Sequence, residues 1–400
     1  MRHELLSPAG DMQSLKAAIR FGADAVYCGG PLLQLRAEKA GFSQKYLAGA
    51  VAYAHTEGKK LYVTVNSFAK NAEIPLVRDY AKELFALGAD AAIVSDLGVL
   101  AAMKESVPEL PVHISTQANC CNFMAARTYY NMGAERVVLA REMTIEEIAE
   151  LRAKVPKELA LEAFVHGAMC MAFSGRCLIS SYFNNRSGNR GECTQPCRWS
   201  YYLVEQKRPD EYLELEESGG VSAVLSSHDL NCLAFLDKLR DAGVSSFKIE
   251  GRMKTPYYVA TVTNAYRRRI DNSAPLEALE QELLCTSHRP YSSGFYFGEL
   301  VKNHFNDGIY RQNCTFVGVV KAWENGRLTL EQRNAFYEGD ELEILSPHHF
   351  GVTLLVNNIE NSKGERVNAA TLVQETVSVD CPLVLEPGDM LRKRTNNYDT

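Results

Sequence analysis

The sequence predicts an α/β fold: a (β/α)8 TIM-type barrel with a cysteine-rich insertion between strands 7 and 8, followed by a small C-terminal all-β barrel. Three observations predict it. Short β-branched runs alternate with amphipathic stretches over residues 1–271, and eight such runs can be counted, a number that favours a closed barrel over an open sheet. FGADAVY, LGADAAIV, MGAERVVLA and AGVSSFKIE each place a Gly where a helix ends and a strand follows. From Cys314 onward, strand-like runs alternate with Gly-Asp turns at 339–340 and 388–389.

The eight expected strands are Glu4–Leu6, Ala25–Cys28, Leu61–Val65, Ala91–Val94, Val112–Ile114, Arg136–Ala140, Ala160–Val165 and Ser246–Glu250. Met12–Phe21, Leu76–Leu87, Phe123–Met132 and a last barrel helix at Tyr257–Ile270 carry apolar residues at three- and four-residue spacing. The rival doubly wound sheet usually carries a glycine-rich phosphate loop after its first strand, and Pro8-Ala9-Gly10-Asp11 is not one. The barrel is expected over residues 1–285, with its insertion at about 167–231. A linker is expected at 286–312, and a small β domain able to bind RNA at 313–400. Long strand-to-helix insertions of this kind sit on the catalytic face of such barrels.

The chain has 400 residues, 46% of them apolar and 23% charged, with a formal charge of −6. That balance suits a packed core and argues against a uniformly basic nucleic-acid coat. MRHELLSPAG lacks the apolar region of a signal peptide, and no run approaches the ~18 apolar residues of a membrane span. A cytoplasmic protein without a membrane or DNA partner is expected. Its eleven cysteines are then not a disulfide framework, and Cys28, Cys285, Cys314 and Cys381 read as small core residues.

Four cysteines read differently. In EAFVHGAMCMAFSGRCLISSYFNNRSGNRGECTQPCRW, six residues separate Cys170 from Cys177 and three separate Cys193 from Cys197. Four thiolates within 28 residues can hold an iron–sulfur cluster or a zinc ion, and neither pair has the C-x2-C spacing usual for zinc. Cys232 is a further thiol beyond them, able to substitute as a ligand or to pack in the core.

The expected strand ends carry polar residues: Asn66, Gln117 with Asn119, Arg141, His166, then Lys248, Glu250 and Arg252. Lys248 and Glu250 are two apart and so share a face. As a pair they read as a structural ion pair or as part of an anion site, to which Arg141 and Arg252 would add bidentate carboxylate donors. His166 and Glu162 are candidates for proton transfer. The runs Arg267-Arg268-Arg269, Arg392-Lys393-Arg394 and Lys59-Lys60 read as solvated faces, or as a phosphate track should two of them flank the cleft. H-E-x-x-H, G-x-S-x-G, P-loop and G-x-G-x-x-G motifs are absent, so metalloprotease, serine hydrolase and NAD-dehydrogenase chemistry lacks its usual residues.

The cysteine segment, with ELLSPAG, GADAVYCGG, VTVN, HISTQAN, VVLAREMT and FKIEGRMKTPYY in order, resembles the collagenase-like peptidases of unassigned mechanism over nearly the whole chain. Within that family it is most similar to the prephenate-dependent tRNA hydroxylation branch. The resemblance implies a [4Fe–4S] cluster on Cys170, Cys177, Cys193 and Cys197. It also implies hydroxylation of the tRNA wobble uridine to 5-hydroxyuridine, with prephenate as co-substrate. Under that reading Arg141, Lys248 and Arg252 would anchor the small dicarboxylate, beside Asn66, Gln117 and Asn119, and Glu250 would act with His166, Glu162 and Lys248. An anticodon-loop base would stack on Tyr182 or Trp199. The alternatives are a collagenase-like peptidase and a cluster-carrying partner subunit of another hydroxylase.

Overall fold

The structure, a computed structural model, describes residues 3–35, 41–170, 172, 175–199, 203–205, 208–213, 228–298 and 310–395. Parts of the expected insertion (214–227) and of the expected linker (299–309) lie outside the described residues.

Eight parallel strands close into a barrel: β1 (Glu4–Ala9), β2 (Ala25–Gly29), β3 (Lys60–Val65), β4 (Ala91–Val94), β5 (Val112–Ile114), β6 (Arg136–Val138), β7 (Ala160–Ala168) and, numbered in chain order, β11 (Ser246–Ile249). Each pairs with the next, and β11 pairs with both β7 and β1, which closes the ring. The strands are short, nearly continuous runs of buried residues, as expected where both sheet faces are covered. The helices α1 (Met12–Arg20), α2 (Gln44–Thr56), α3 (Ile74–Ala86), α4 (Leu97–Ser106), α5 (Phe123–Asn131) and α6 (Ile145–Lys154) alternate with them. Asp96 caps α4 through the Gly98 and Val99 amides, and Thr144 with Glu147 forms a capping box on α6. The four repeat glycines, Gly22, Gly88, Gly133 and Gly243, take φ between +78° and +105°, the left-handed turn that ends each helix before its strand.

The insertion contains the short helix α7 (Ile179–Asn184) and a hairpin of β8 (Leu203–Glu205) with β9 (Arg208–Leu213). It returns through β10 (Asp229–Asn231), which runs antiparallel to the end of β7, and α8 (Leu236–Asp241) then leads to β11. The segment after Ser287 is more than a tether. Its strand β12 (Tyr291–Ser292) pairs with β10, and the buried Tyr296 hydroxyl donates to the Phe164 carbonyl at 2.6 Å.

The chain divides into two compact units. One comprises Met1–Leu15, Ala23–Lys254 and His288–Tyr310; the other comprises Lys16–Gly22, Thr255–Ser287 and Arg311–Thr400. The helix after the eighth strand, α9 (Pro256–Ile270), therefore groups with α10 (Leu276–Leu283) and the C-terminal sheet. That sheet comprises β13 (Cys314–Glu324), β14 (Arg327–Gln332), β16 (Glu341–Leu345), β17 (Thr353–Leu355), β19 (Thr376–Asp380) and β20 (Met390–Arg394). Its strand order is β17-β16-β20-β13-β14-β19, an antiparallel half-barrel around Val317, Leu330, Phe336, Leu342, Val379 and Leu391. The short pair β15 (Phe336–Tyr337) and β18 (Ala369–Ala370) completes this unit's strands.

Residues of two of the three basic runs are paired within this unit, and Lys59-Lys60 lies in the other. Arg267 donates to Asp271 at 2.6 and 2.8 Å, and Arg268 to the Ser346 and Pro347 carbonyls. Arg392 pairs with Glu343 and Glu282, Arg394 with Glu343, and Lys393 with Asp340. Leu330 is fully buried in this unit whereas Leu355 is 56% exposed. Leu330→Ala is expected to cost about 2–5 kcal/mol and Leu355→Ala under about 0.5 kcal/mol, read as shifts in the urea midpoint of the full chain.

Candidate active site

The barrel's lumen is polar at its base. Glu4, Arg136 and Ser246 open their strands, and Glu162 is the third residue of β7. Arg136 Nη1 donates to Glu4 Oε1 at 2.5 Å and to Glu162 Oε2 at 2.8 Å. Lys248 Nζ donates to Glu162 Oε1 at 2.8 Å, while the Tyr62 hydroxyl and Ser246 Oγ donate to Glu4. Burial alone would raise the Glu162 carboxyl, but Lys248 and Arg136 outweigh it and hold the pKa below the usual value. Lys248 is lowered, by burial first, with Glu162 opposing. Glu162 is thus enclosed among its partners, and its placement is that of a holder for Lys248.

Above this base the pairing of β7 with β11 slips by one residue. Lys248 lies opposite Phe164, but Ile249 lies opposite His166. The extra residue, Val165, reverses the alternation of β7, so His166 faces away from the lumen. It lies 5.5 Å from the Tyr291 ring, and burial pushes its pKa down to about 3. The imidazole is therefore neutral at pH 7. Asp229 and Arg289 pair nearby through Nε at 3.0 Å and Nη2 at 2.7 Å, both side chains buried.

A cleft of about 430 Å³, its open mouth included, occupies the other end of the lumen. Six of the expected site residues line it: Asn66, Gln117, Arg141, Lys248, Glu250 and Arg252. His166, Glu162, Asn119 and Tyr182 are not among its walls. Arg252 Nη1 donates to Thr64 Oγ1 at 2.7 Å. The Arg141 guanidinium stacks 4.0 Å over the Phe164 ring and donates to the Ala168 carbonyl. Lys248 Nζ sits 4.4 Å over the Tyr27 ring. Arg141, Arg252 and the Glu162-paired Lys248 share these walls with one carboxylate, Glu250. Asn66 Nδ2 reaches Ser115 Oγ at 3.3 Å, and its buried Oδ1 has no partner among the described residues. An acceptor so placed calls for a ligand or water donor. Asn119 instead closes the turn after β5 at φ +56°, its Oδ1 accepting from the Cys121 thiol.

The cysteine insertion lies against the same rim. A Cβ at Gly175 would fall 2.2 Å from the Gln117 carbonyl oxygen, and one at Gly191 would fall 2.8 Å from that of Gln34, so only glycine permits either approach. Arg190 ties the insertion down through Glu73 at 2.9 Å. Within it, Asn189 donates to the Cys177 carbonyl at 3.1 Å, and the Thr194 amide and hydroxyl bond Ser180 Oγ at 3.0 Å. These bonds hold the Cys177 turn beside Cys193. Cys170 and Cys193 are exposed and Cys177 and Cys197 half-buried, unlike Cys28, Cys120 and Cys232, whose thiols burial pushes up. No three of the four sulfurs lie within 4.8 Å of one another. Four cysteine thiols are a donor set of the kind an iron–sulfur cluster takes. Cys232 is level with Val165 of β7, to which its amide donates at 3.0 Å, and is fully buried.

The model of peptidase family U32 matches residues 10–306, and that of the family's C-terminal domain matches residues 312–392. The chain belongs to peptidase family U32. It is 35% identical to tRNA hydroxylation protein P of Escherichia coli K12, over 99% of this chain and 98% of that one. It is 38% identical to the 23S rRNA 5-hydroxycytidine C2501 synthase of the same organism, over 68% of this chain and 39% of that protein. It is 31% identical to the collagenase of Porphyromonas gingivalis W83, over 97% of both. No helix among the described residues of this U32 chain is long and apolar enough to cross a membrane.

Sequence reasoning missed Arg136, Thr64, Tyr27 and Phe164. The available signal was a charged residue at the first position of two barrel strands, Glu4 and Arg136, where a hydrophobic side chain normally fills the lumen. Arg136→Met removes the cation that Glu4 and the buried Glu162 share, so a loss of about 3–5 kcal/mol in urea unfolding is expected. The linkage sign follows from the lowered pKa of Glu162 and Glu4. Their ionised forms stabilise the fold fully above about pH 4.5, and this stabilisation is lost as pH falls through the lower folded values. The wild-type chain should lose stability on acidification below that pH, and Arg136→Met should lose distinctly less.

Proposed function

We propose that this chain is an iron–sulfur RNA hydroxylase that converts the tRNA wobble uridine to 5-hydroxyuridine, with prephenate as co-substrate. The observation that carries the reading is a cationic cleft at the mouth of a barrel whose rim holds an insertion with four accessible thiols. Similarity to tRNA hydroxylation protein P over essentially the full length supports it, and the rRNA hydroxycytidine synthase supports hydroxylation of an RNA base more broadly.

Arg141, Lys248 and Arg252 are proposed to bind the two carboxylates of the small acid, and Asn66 Oδ1 accepts a hydrogen bond from its hydroxyl. Glu162 keeps Lys248 charged and aimed into the cleft. Glu250 is the titratable carboxylate on the cleft wall and is placed to take or give a proton. The neutral, buried His166 shapes the wall from behind. Cys170, Cys177, Cys193 and Cys197 would hold a [4Fe–4S] cluster, which when bound supplies electron-transfer chemistry. Tyr182, 86% exposed on α7 beside Phe183, is the proposed stacking surface for an unpaired anticodon-loop base. The collagenase reading lacks support in the cleft, where Thr64, Ser115 and Thr116 supply hydroxyls but no histidine lies among the described walls to activate one.

Mass spectrometry of tRNA nucleosides from a deletion strain is expected to show loss of 5-hydroxyuridine, restored by the wild-type gene but not by Arg252→Met. An unchanged nucleoside profile would sink the assignment. In vitro, Tyr182→Ala is expected to raise KM for tRNA roughly 5- to 100-fold with kcat nearly unchanged, matching the loss of one stacked base. A kcat defect at unchanged KM would remove Tyr182 from RNA binding.

A further inference from the structure

Cys285 and Cys314 read as reduced core residues in the sequence. The structure instead joins them sulfur to sulfur, with Cα atoms 4.6 Å apart, within the range that disulfides require. We propose that this pair is a redox-modification site, a dithiol that a hydroperoxide oxidises reversibly to a disulfide and that thereby fastens residues 291–296, which lie between its two cysteines.

Both sulfurs are fully buried, and both backbones are fixed by bonds that do not depend on the S–S link. The Cys285 amide donates to the Glu282 carbonyl at the end of α10, and the Tyr257 hydroxyl donates to the Cys285 carbonyl at 3.1 Å. Cys314 opens β13 opposite Arg394 of β20, and the neighbouring Asn313 amide bonds the Leu284 carbonyl at 2.8 Å. The reduced thiols consequently stay side by side, and closure of the bond has little chain entropy left to overcome. The other nine cysteines form no disulfide, and Cys170 and Cys193 among them are exposed, so the chain is not built as a disulfide scaffold.

A carboxylate oxygen of Glu343 lies within 4.8 Å of both sulfurs, which raises a metal site as the competing use of the same atoms. The electrostatics disfavour it. Glu343 already accepts from Arg392 Nε at 2.8 Å and Arg394 Nε at 2.5 Å, and these guanidiniums would have to be displaced by a cation.

The chemistry balances with a hydroperoxide as oxidant. One thiol sulfur attacks the terminal peroxide oxygen; an S–O bond forms, the O–O bond breaks, and with hydrogen peroxide the first water leaves with the thiol proton. The second thiol attacks the resulting sulfenic sulfur; the S–S bond forms, the S–O bond breaks, and a second water leaves. Two thiols lose two electrons and one peroxide becomes two waters. A small-molecule thiol reverses the reaction by exchange.

The closed loop spans 29 positions and contains the residues of β12 together with Tyr296, whose hydroxyl holds the carbonyl of the cleft residue Phe164. Closing that loop removes conformations from any state in which the segment comes loose. Oxidation should accordingly slow local opening of residues 291–296.

The test uses the purified full chain, first reduced with dithiothreitol, then treated with hydrogen peroxide and alkylated. Peptide mass spectrometry is expected to find the Cys285 and Cys314 peptides joined and two hydrogens lighter, and separate again after dithiothreitol. Amide exchange at 291–296 should be at least about tenfold slower in the oxidised form, with no such difference in Cys314→Ser. Four results would overturn the proposal: separate alkylation of both cysteines after peroxide, a link that dithiothreitol cannot open in the folded chain, equal exchange in the two forms, or stoichiometric zinc lost in Cys285→Ala.

Discussion

Glu162 carries two charges' worth of obligations at the centre of the barrel. Its two oxygens are taken by Arg136 from β6 and Lys248 from β11, and a strand of β7 holds it between them. A carboxylate so deeply enclosed is tolerated only because both partners are present, since desolvation of any one of the three charges would otherwise dominate. The arrangement settles which end of the lumen is closed and which is open. Below Lys248 the interior is filled by a hydrogen-bonded polar network, and above it the same residue is part of the lining of the cleft.

From Lys248 the rest of the site follows by strand geometry. Lys248 and Glu250 share a face through the two-residue alternation of β11, while Arg141 and Arg252 come from the loops beyond β6 and β11. The slip at Val165 separates His166 from this group, although it lies only two residues beyond Phe164, which lines the cleft. The insertion is brought to the rim by two glycines that admit backbone oxygens and by the Arg190–Glu73 pair. The charged strand ends and the cysteine insertion thus meet at one opening while arising from separate parts of the chain.

The C-terminal unit makes a different use of arginine. Its basic runs look in sequence like nucleic-acid contacts, yet Arg392 and Arg394 converge on Glu343, and Arg267 closes on Asp271. Such pairing consumes the charge that a phosphate would have needed. The insertion, by contrast, exposes the aromatics Tyr182 and Trp199.

The sequence by itself determined the eight-strand count, the helix-ending glycines, the cysteine insertion between the seventh and eighth strands and the polar strand ends. These are local signals, written in two- and 3.6-residue periods and in short spacings. It determined six residues of the cleft wall because strand ends in a closed barrel converge on one mouth, whatever the details of packing. The tertiary structure alone decided the partners. That Glu162 belongs to Arg136, that His166 turns away at a one-residue slip, and that Cys285 meets Cys314 are facts of register and long-range pairing. They involve residues 26 to 29 positions apart or on neighbouring strands, and no local period records which of many polar residues will share a site.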